Sequence, residues 1–119
     1  MIFKDYKTYL KEKEILCEKL KGKFGCILEF NGFVREYDLK EGEKVPAKGL
    51  DIKELAIEKL KEIREEAIKK FDLIETIIYH ATGFLKVGEM VASIAVFAKH
   101  RQEAFLALSF IIDEIKKYH

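Results

Sequence analysis

The sequence predicts an α+β fold of three amphipathic helices packed on a mixed or antiparallel sheet, in the order α-β-α-β-β-α. Two observations carry this reading. Lys/Glu-rich stretches with apolar residues every three to four positions are interspersed with short runs of Val, Ile, Phe and Tyr. Two of those apolar runs also follow one another across a glycine-bearing turn, which makes a hairpin instead of the strict strand-helix alternation of a doubly wound fold. At 119 residues and 49% hydrophobic, the chain has the length for a single domain, residues 1–119, with one core.

Between Asp5 and Leu20, the residues Tyr6, Tyr9, Leu10, Ile15, Leu16 and Leu20 recur in a Lys/Glu background, the spacing of a first helix that Gly22 would end. Phe24 to Tyr37 is rich in Phe, Val, Ile and Tyr and reads as a strand, with a bulge or close backbone approach at Gly32. Asp38 to Gly49 holds the single proline, two glycines and many charges, and reads as a loop. Asp51 is placed to cap a helix running to about Phe71, with Leu55, Ala56, Ile63, Ala67 and Ile68 facing inward. Leu73 to His80 and Met90 to Ala98 form the hairpin around a Gly83 to Gly88 turn. His100 to Tyr118 is a last helix with an apolar stripe of Ala104, Phe105, Leu108, Ile111, Ile112 and Ile115.

Charge narrows the function. Lys plus Arg number 22 against 21 Asp plus Glu, a net charge of +1, so a nucleic-acid binder working through a strong overall field is excluded and any basic site is local. No apolar run approaches the roughly 20 residues of a membrane span, and Met1 to Lys13 carries acids and bases where a signal peptide would be apolar. A cytoplasmic protein without membrane contact is expected. Cys17 and Cys26 lie outside any CxxC and away from histidines, so both are expected to be reduced packing residues, with no metal site.

Three local features can carry chemistry. Arg35 follows a glycine-containing strand, where a guanidinium can fork two hydrogen bonds onto a phosphate or carboxylate, or pair with Glu36 or Asp38 on the surface. His100 and Arg101 open the last helix, where side chains and unpaired backbone N–H groups can hold an anion, or where they simply begin a solvated helix. Lys116 lies beside the apolar stripe near that helix's end. There it either favours the helix dipole or acts as a partly desolvated amine. His80, Gly83, Gly88 and Glu89 read as structural, with glycines for the turn and His80 satisfying buried backbone groups.

Four segments taken in order make a more specific pattern: Gly25-Cys-Ile-Leu-Glu-Phe30-Asn-Gly32-Phe33-Val34-Arg35, His80-Ala-Thr-Gly83-Phe-Leu85-Lys-Val-Gly88-Glu89, His100-Arg101-Gln-Glu-Ala104-Phe105, and Ile112-Asp113-Glu-Ile115-Lys116. Over about residues 24 to 117 this order resembles the family of the large, catalytic subunit of molybdopterin synthase. The resemblance implies a hammerhead-like α+β fold and a homodimer with a small ubiquitin-like sulfur carrier at each end, a heterotetramer in all. The carrier's C-terminal Gly-Gly thiocarboxylate would supply sulfur to cyclic pyranopterin monophosphate, forming a dithiolene with no metal or organic cofactor. Residue by residue, it implies Lys116 as the catalytic lysine and Phe33, Val34, Arg35, His100 and Arg101 as substrate-binding. The chain departs from the family at three places. It stops at His119 where a Pro-x-Trp-Lys segment with a second lysine follows, Ala81 stands where an arginine is common, and Val45 to Ile52 lacks a Glu- and Tyr-rich strand. The rival reading is a paralogue that binds the small partner, or another anionic ligand, without sulfur transfer.

Overall fold

A computed structural model describes residues 1–40, 43–46, 49–52 and 57–118. The chain opens with a two-residue strand, β1 (Ile2–Phe3), and then α1 (Tyr6–Lys19). Asp5 caps α1, its carboxylate accepting from the Thr8 N–H at 3.0 Å, which satisfies one of the helix's unpaired first-turn donors. β2 (Cys26–Phe33) follows, with a register slip between Gly32 and Phe33 where the sequence predicts a bulge. Next come β3 (Tyr37–Lys40), β4 (Glu43–Pro46) and β5 (Gly49–Ile52), then α2 (Ile57–Phe71). β6 (Glu75–His80), β7 (Gly83–Lys86), β8 (Met90–Ala98) and α3 (Arg101–Lys116) complete the fold.

The main sheet has the order β1-β6-β8-β2. β8 is antiparallel to both its neighbours, whereas β1 runs parallel to β6. The sheet is therefore mixed. Side chains alternate across a strand, so α1 covers one face, where Tyr9 and Leu16 meet Ile77, Ala95 and Phe97. α2 and α3 cover the other, where Leu60, Ile63, Ala107 and Ile111 meet Ile78, Ile94 and Val96. β8 is buried on both faces, which is why it reads as an apolar run with Ser93 its one polar residue.

Several expectations change. Where a loop was expected over Asp38 to Gly49, β3 and β4 form an antiparallel hairpin, and Pro46 is tolerated because it ends its strand. Asp51 is not a helix cap. It lies in β5, opposite Phe84 of β7, and α2 begins at Ile57; Leu55 and Ala56 lie outside the described residues. The stretch from Val45 to Ile52 lacks the Glu and Tyr expected from the family, yet it contributes to β4 and β5. The expected turn from Gly83 to Gly88 is mostly β7, followed by a tight turn in which the Glu89 N–H reaches the Lys86 carbonyl at 3.0 Å and Gly88 has φ +90°. On α3, Phe105 leaves the predicted stripe and is 62% exposed, while Ala104, Ala107, Ile111 and Ile115 form its buried face.

Candidate functional site

At the C-terminal end of α3 a cavity of about 200 Å3 lies between the helix and the sheet. Ile112, Ile115 and Lys116 line it from α3; residues three and four apart share a helix face, so the helix delivers all three together. β2 contributes Phe30, Gly32 and Phe33, placed there as the bulge turns the strand end. β8 adds Val91, Ala92 and Ile94, and His80 closes the wall from the last position of β6. Among the described residues the lining is apolar except for Lys116 and His80. Lys116 is exposed and has no ion pair among the described residues, whereas its neighbour Lys117 is paired with Glu114. An ammonium at the mouth of an apolar cavity attracts an anionic end of an extended ligand.

The second place is at the other end of the same helix. Gly25, Cys26, Lys99, His100, Arg101 and Gln102 line an open groove of about 400 Å3. Gly25 is required there: a Cβ at this position would sit 2.2 Å from the Lys99 carbonyl oxygen. His100 occupies the N-cap of α3 without making a side-chain cap bond; its Nδ1 lies 3.1 Å from the Glu103 carboxylate. The other oxygen of Glu103, Oε2, is buried without a hydrogen-bond partner among the described residues. Arg101 is exposed, and Lys99 pairs with Asp72 at 3.1 Å. The groove can hold an anion on Arg101, the first-turn N–H groups and His100, with Glu103 competing for the imidazole.

The residues predicted to form one site are therefore distributed. Phe33 and Lys116 share the cavity, and His100 and Arg101 share the groove. The 16 residues of α3 separate the two, roughly 24 Å at about 1.5 Å per residue. Val34 faces neither. It is buried against Ala81 and Leu85, its N–H donating to Glu89 O at 2.9 Å and its carbonyl accepting from Gly88 at 2.8 Å. Arg35 is exposed just beyond β2 and outside both linings. His80 does satisfy a backbone group, with Nδ1 2.8 Å from the Ala81 carbonyl. It also belongs to the cavity, which the sequence reading missed. The signal was its alternation with Ile78 on β6, which puts it on the α3 face of the sheet.

Comparison with known proteins decides the family. The MoaE protein family model matches residues 6–118. This chain belongs to the MoaE family. A protein of Methanocaldococcus jannaschii that carries only the description uncharacterized is 61% identical over 119 residues, all of both chains. The molybdopterin synthase catalytic subunit of Pyrococcus abyssi is 42% identical over 94 residues, covering 78% of this chain and 62% of that one. Among solved structures, molybdopterin synthase from Staphylococcus aureus superposes with a TM-score of 0.69 at 30% identity, over 87% of this chain and 75% of that one. The MoaE relatives place the chain in molybdenum cofactor biosynthesis, and the matching MoaE structure has the α+β architecture described above. No described helix of this family member is long and apolar enough to cross a membrane.

Proposed function

We propose that this chain is the catalytic subunit of a molybdopterin synthase. A small ubiquitin-like partner inserts its C-terminal Gly-Gly tail into the Lys116 cavity, and the tail's thiocarboxylate gives its sulfur to cyclic pyranopterin monophosphate. The observation that carries this reading is the apolar cavity with Lys116 at its mouth. A Gly-Gly tail has no side chains and suits an apolar cavity of this size between helix and strand. Its carbonyl then lies beside an ammonium that stabilises negative charge developing on oxygen during acyl transfer. The phosphate of the pterin needs a cationic cradle, and the Arg101 groove is the matching feature, supplied by a second copy of the chain because one copy holds its groove and cavity roughly 24 Å apart.

The test is Lys116→Ala, assayed in a single turnover with thiocarboxylated partner and pterin. The rate of dithiolene formation is expected to fall by roughly 10²-fold or more, as for loss of a group that stabilises a developing oxyanion, with partner affinity and melting temperature unchanged. Turnover equal to the parent's would remove Lys116 from the chemistry. Tight partner binding by the parent chain with no sulfur transfer would replace this reading with the binding-only paralogue.

A further inference from the structure

We propose that Phe30 and Gly32 form a filter that admits only a side-chain-free tail to the Lys116 cavity; this deepens the function proposed above and rests on it. The Phe30 ring is the wall that limits the room for the tail, and Gly32 is the positioning residue that lets the ring lie there. Side chains alternate along β2, so Cys26 and Leu28 pack into the core under α2 and α3 while Ile27 packs into the core under α1. Phe30 and Gly32 continue the row on the α3 side, since the register holds through Gly32 and slips only at Phe33. Both line the cavity, as do their partners on β8, Ile94 opposite Phe30 and Ala92 opposite Gly32. A large pair thus stands next to a small one. The small pair leaves space that larger side chains would fill.

Part of that space is taken by the Phe30 ring. A Cβ built on Gly32 would come within 3.1 and 3.3 Å of two carbons of the ring, closer than ordinary van der Waals contact. The ring therefore occupies room that any other residue at position 32 would claim. Gly32 does not owe its identity to a left-handed backbone, because its φ lies outside that region. Its missing side chain is what the site uses. Phe30 is 37% exposed, so the ring is not consumed by the core and presents a stiff apolar surface to the cavity. A tail of two glycines meets that surface with backbone alone. A methyl on either residue needs room that the ring and the α3 side chains Ile112 and Ile115 already hold, and a tail stopped short leaves its acyl carbon away from Lys116. Selection is thus expressed in sulfur transfer as well as in binding.

The experiment compares ubiquitin-like partners whose thiocarboxylated tails end in Gly-Gly, Gly-Ala or Ala-Gly, each in single turnovers with pterin. The parent chain is expected to transfer sulfur from Gly-Gly roughly 10-fold or more faster than from either substituted tail. Phe30→Ala, and Phe30→Leu with a smaller loss of volume, are expected to use the substituted tails faster than the parent does, a gain that a damaged fold does not produce. Gly32→Ala pushes the ring aside and is expected to slow transfer from Gly-Gly by roughly 10-fold, with thermal melting showing that the variant is folded. Adding Phe30→Leu to Gly32→Ala returns the room and is expected to restore the rate, so the two changes are not additive. A parent that uses all three tails alike, or Phe30 variants that discriminate as the parent does, overturns the filter and leaves the proposed function standing. A Gly32→Ala defect that persists in the double variant overturns the positioning role of Gly32. A parent that transfers no sulfur from Gly-Gly overturns the proposed function and the filter with it.

Discussion

Glu29 on β2 gathers three side-chain hydrogen bonds. Its Oε2 accepts from the Tyr9 hydroxyl at 2.9 Å and from Lys13 Nζ at 2.7 Å, and its Oε1 accepts from Asn31 at 3.1 Å. Asn31 in turn accepts from the Ser93 hydroxyl at 2.6 Å. α1 is thereby tied to β2 and β8 on the face of the sheet opposite the cavity. Burial works to raise the Glu29 carboxyl, but the hydrogen bonds from Lys13, Asn31 and Tyr9 outweigh it and hold the group below its ordinary range. A carboxyl depressed in the fold adds stability that is present above its unfolded value and is lost as pH falls through the folded one. Glu29→Gln is therefore expected to be less stable than the parent at pH 7, with the difference shrinking below about pH 4, the ordinary Glu range; urea unfolding at the two pH values reads this directly. Tyr9→Phe removes a donor to a charged acceptor at a fully buried position and is expected to cost about 1.5–3 kcal/mol at pH 7.

Elements were legible in proportion to the length of their period. α1, α3 and β8 each run long enough for spacing to speak, and their ends fall within a few residues of expectation. β1 is two residues long, too short for any period, and it is held by a partner more than seventy positions away. β3, β4 and β5 lie in a stretch whose Gly, Pro and charges suit loops and edge strands alike, and β5 is fixed by pairing with β7, which no local pattern reveals. The same division holds at the site. Phe33 and Lys116 were recognisable from motif order, and Phe30, Ile112 and Ile115 join them only because the bulge and the end of α3 meet in space. Gly25 shows what one close approach is worth. Its N–H bonds Ala98 O at 2.8 Å and the chain passes so near Lys99 that Gly25→Ala would place a methyl 2.2 Å from a carbonyl oxygen. The start of β2 and the turn into α3 must then separate, at an expected cost of about 1–3 kcal/mol, read as a lowered melting temperature and as weakened anion binding at the groove.

At the scale of the whole molecule, the geometry of α3 decides how an active site can be assembled. Lys116 ends the helix that Arg101 begins, and roughly 24 Å along its axis is more than one pterin spans. The Lys116 cavity and the Arg101 groove can serve one substrate only if they come from different copies of the chain. A two-fold dimer would then hold two equivalent shared sites, each built from the cavity of one copy and the groove of the other. The consequence is complementation. Arg101→Ala and Lys116→Ala homodimers should each be inactive, since every site carries one lesion. In a heterodimer of the two variants both lesions fall in one site and the other site carries neither. Random re-pairing of equal amounts makes about half the dimers mixed, so about a quarter of all sites should be whole. The measurement is sulfur transfer by the co-refolded mixture against each variant alone, with heterodimer content determined by native mass spectrometry. Recovery toward a quarter of parental activity is expected. Abundant heterodimer with no recovery would mean that the groove and the cavity serve different ligands.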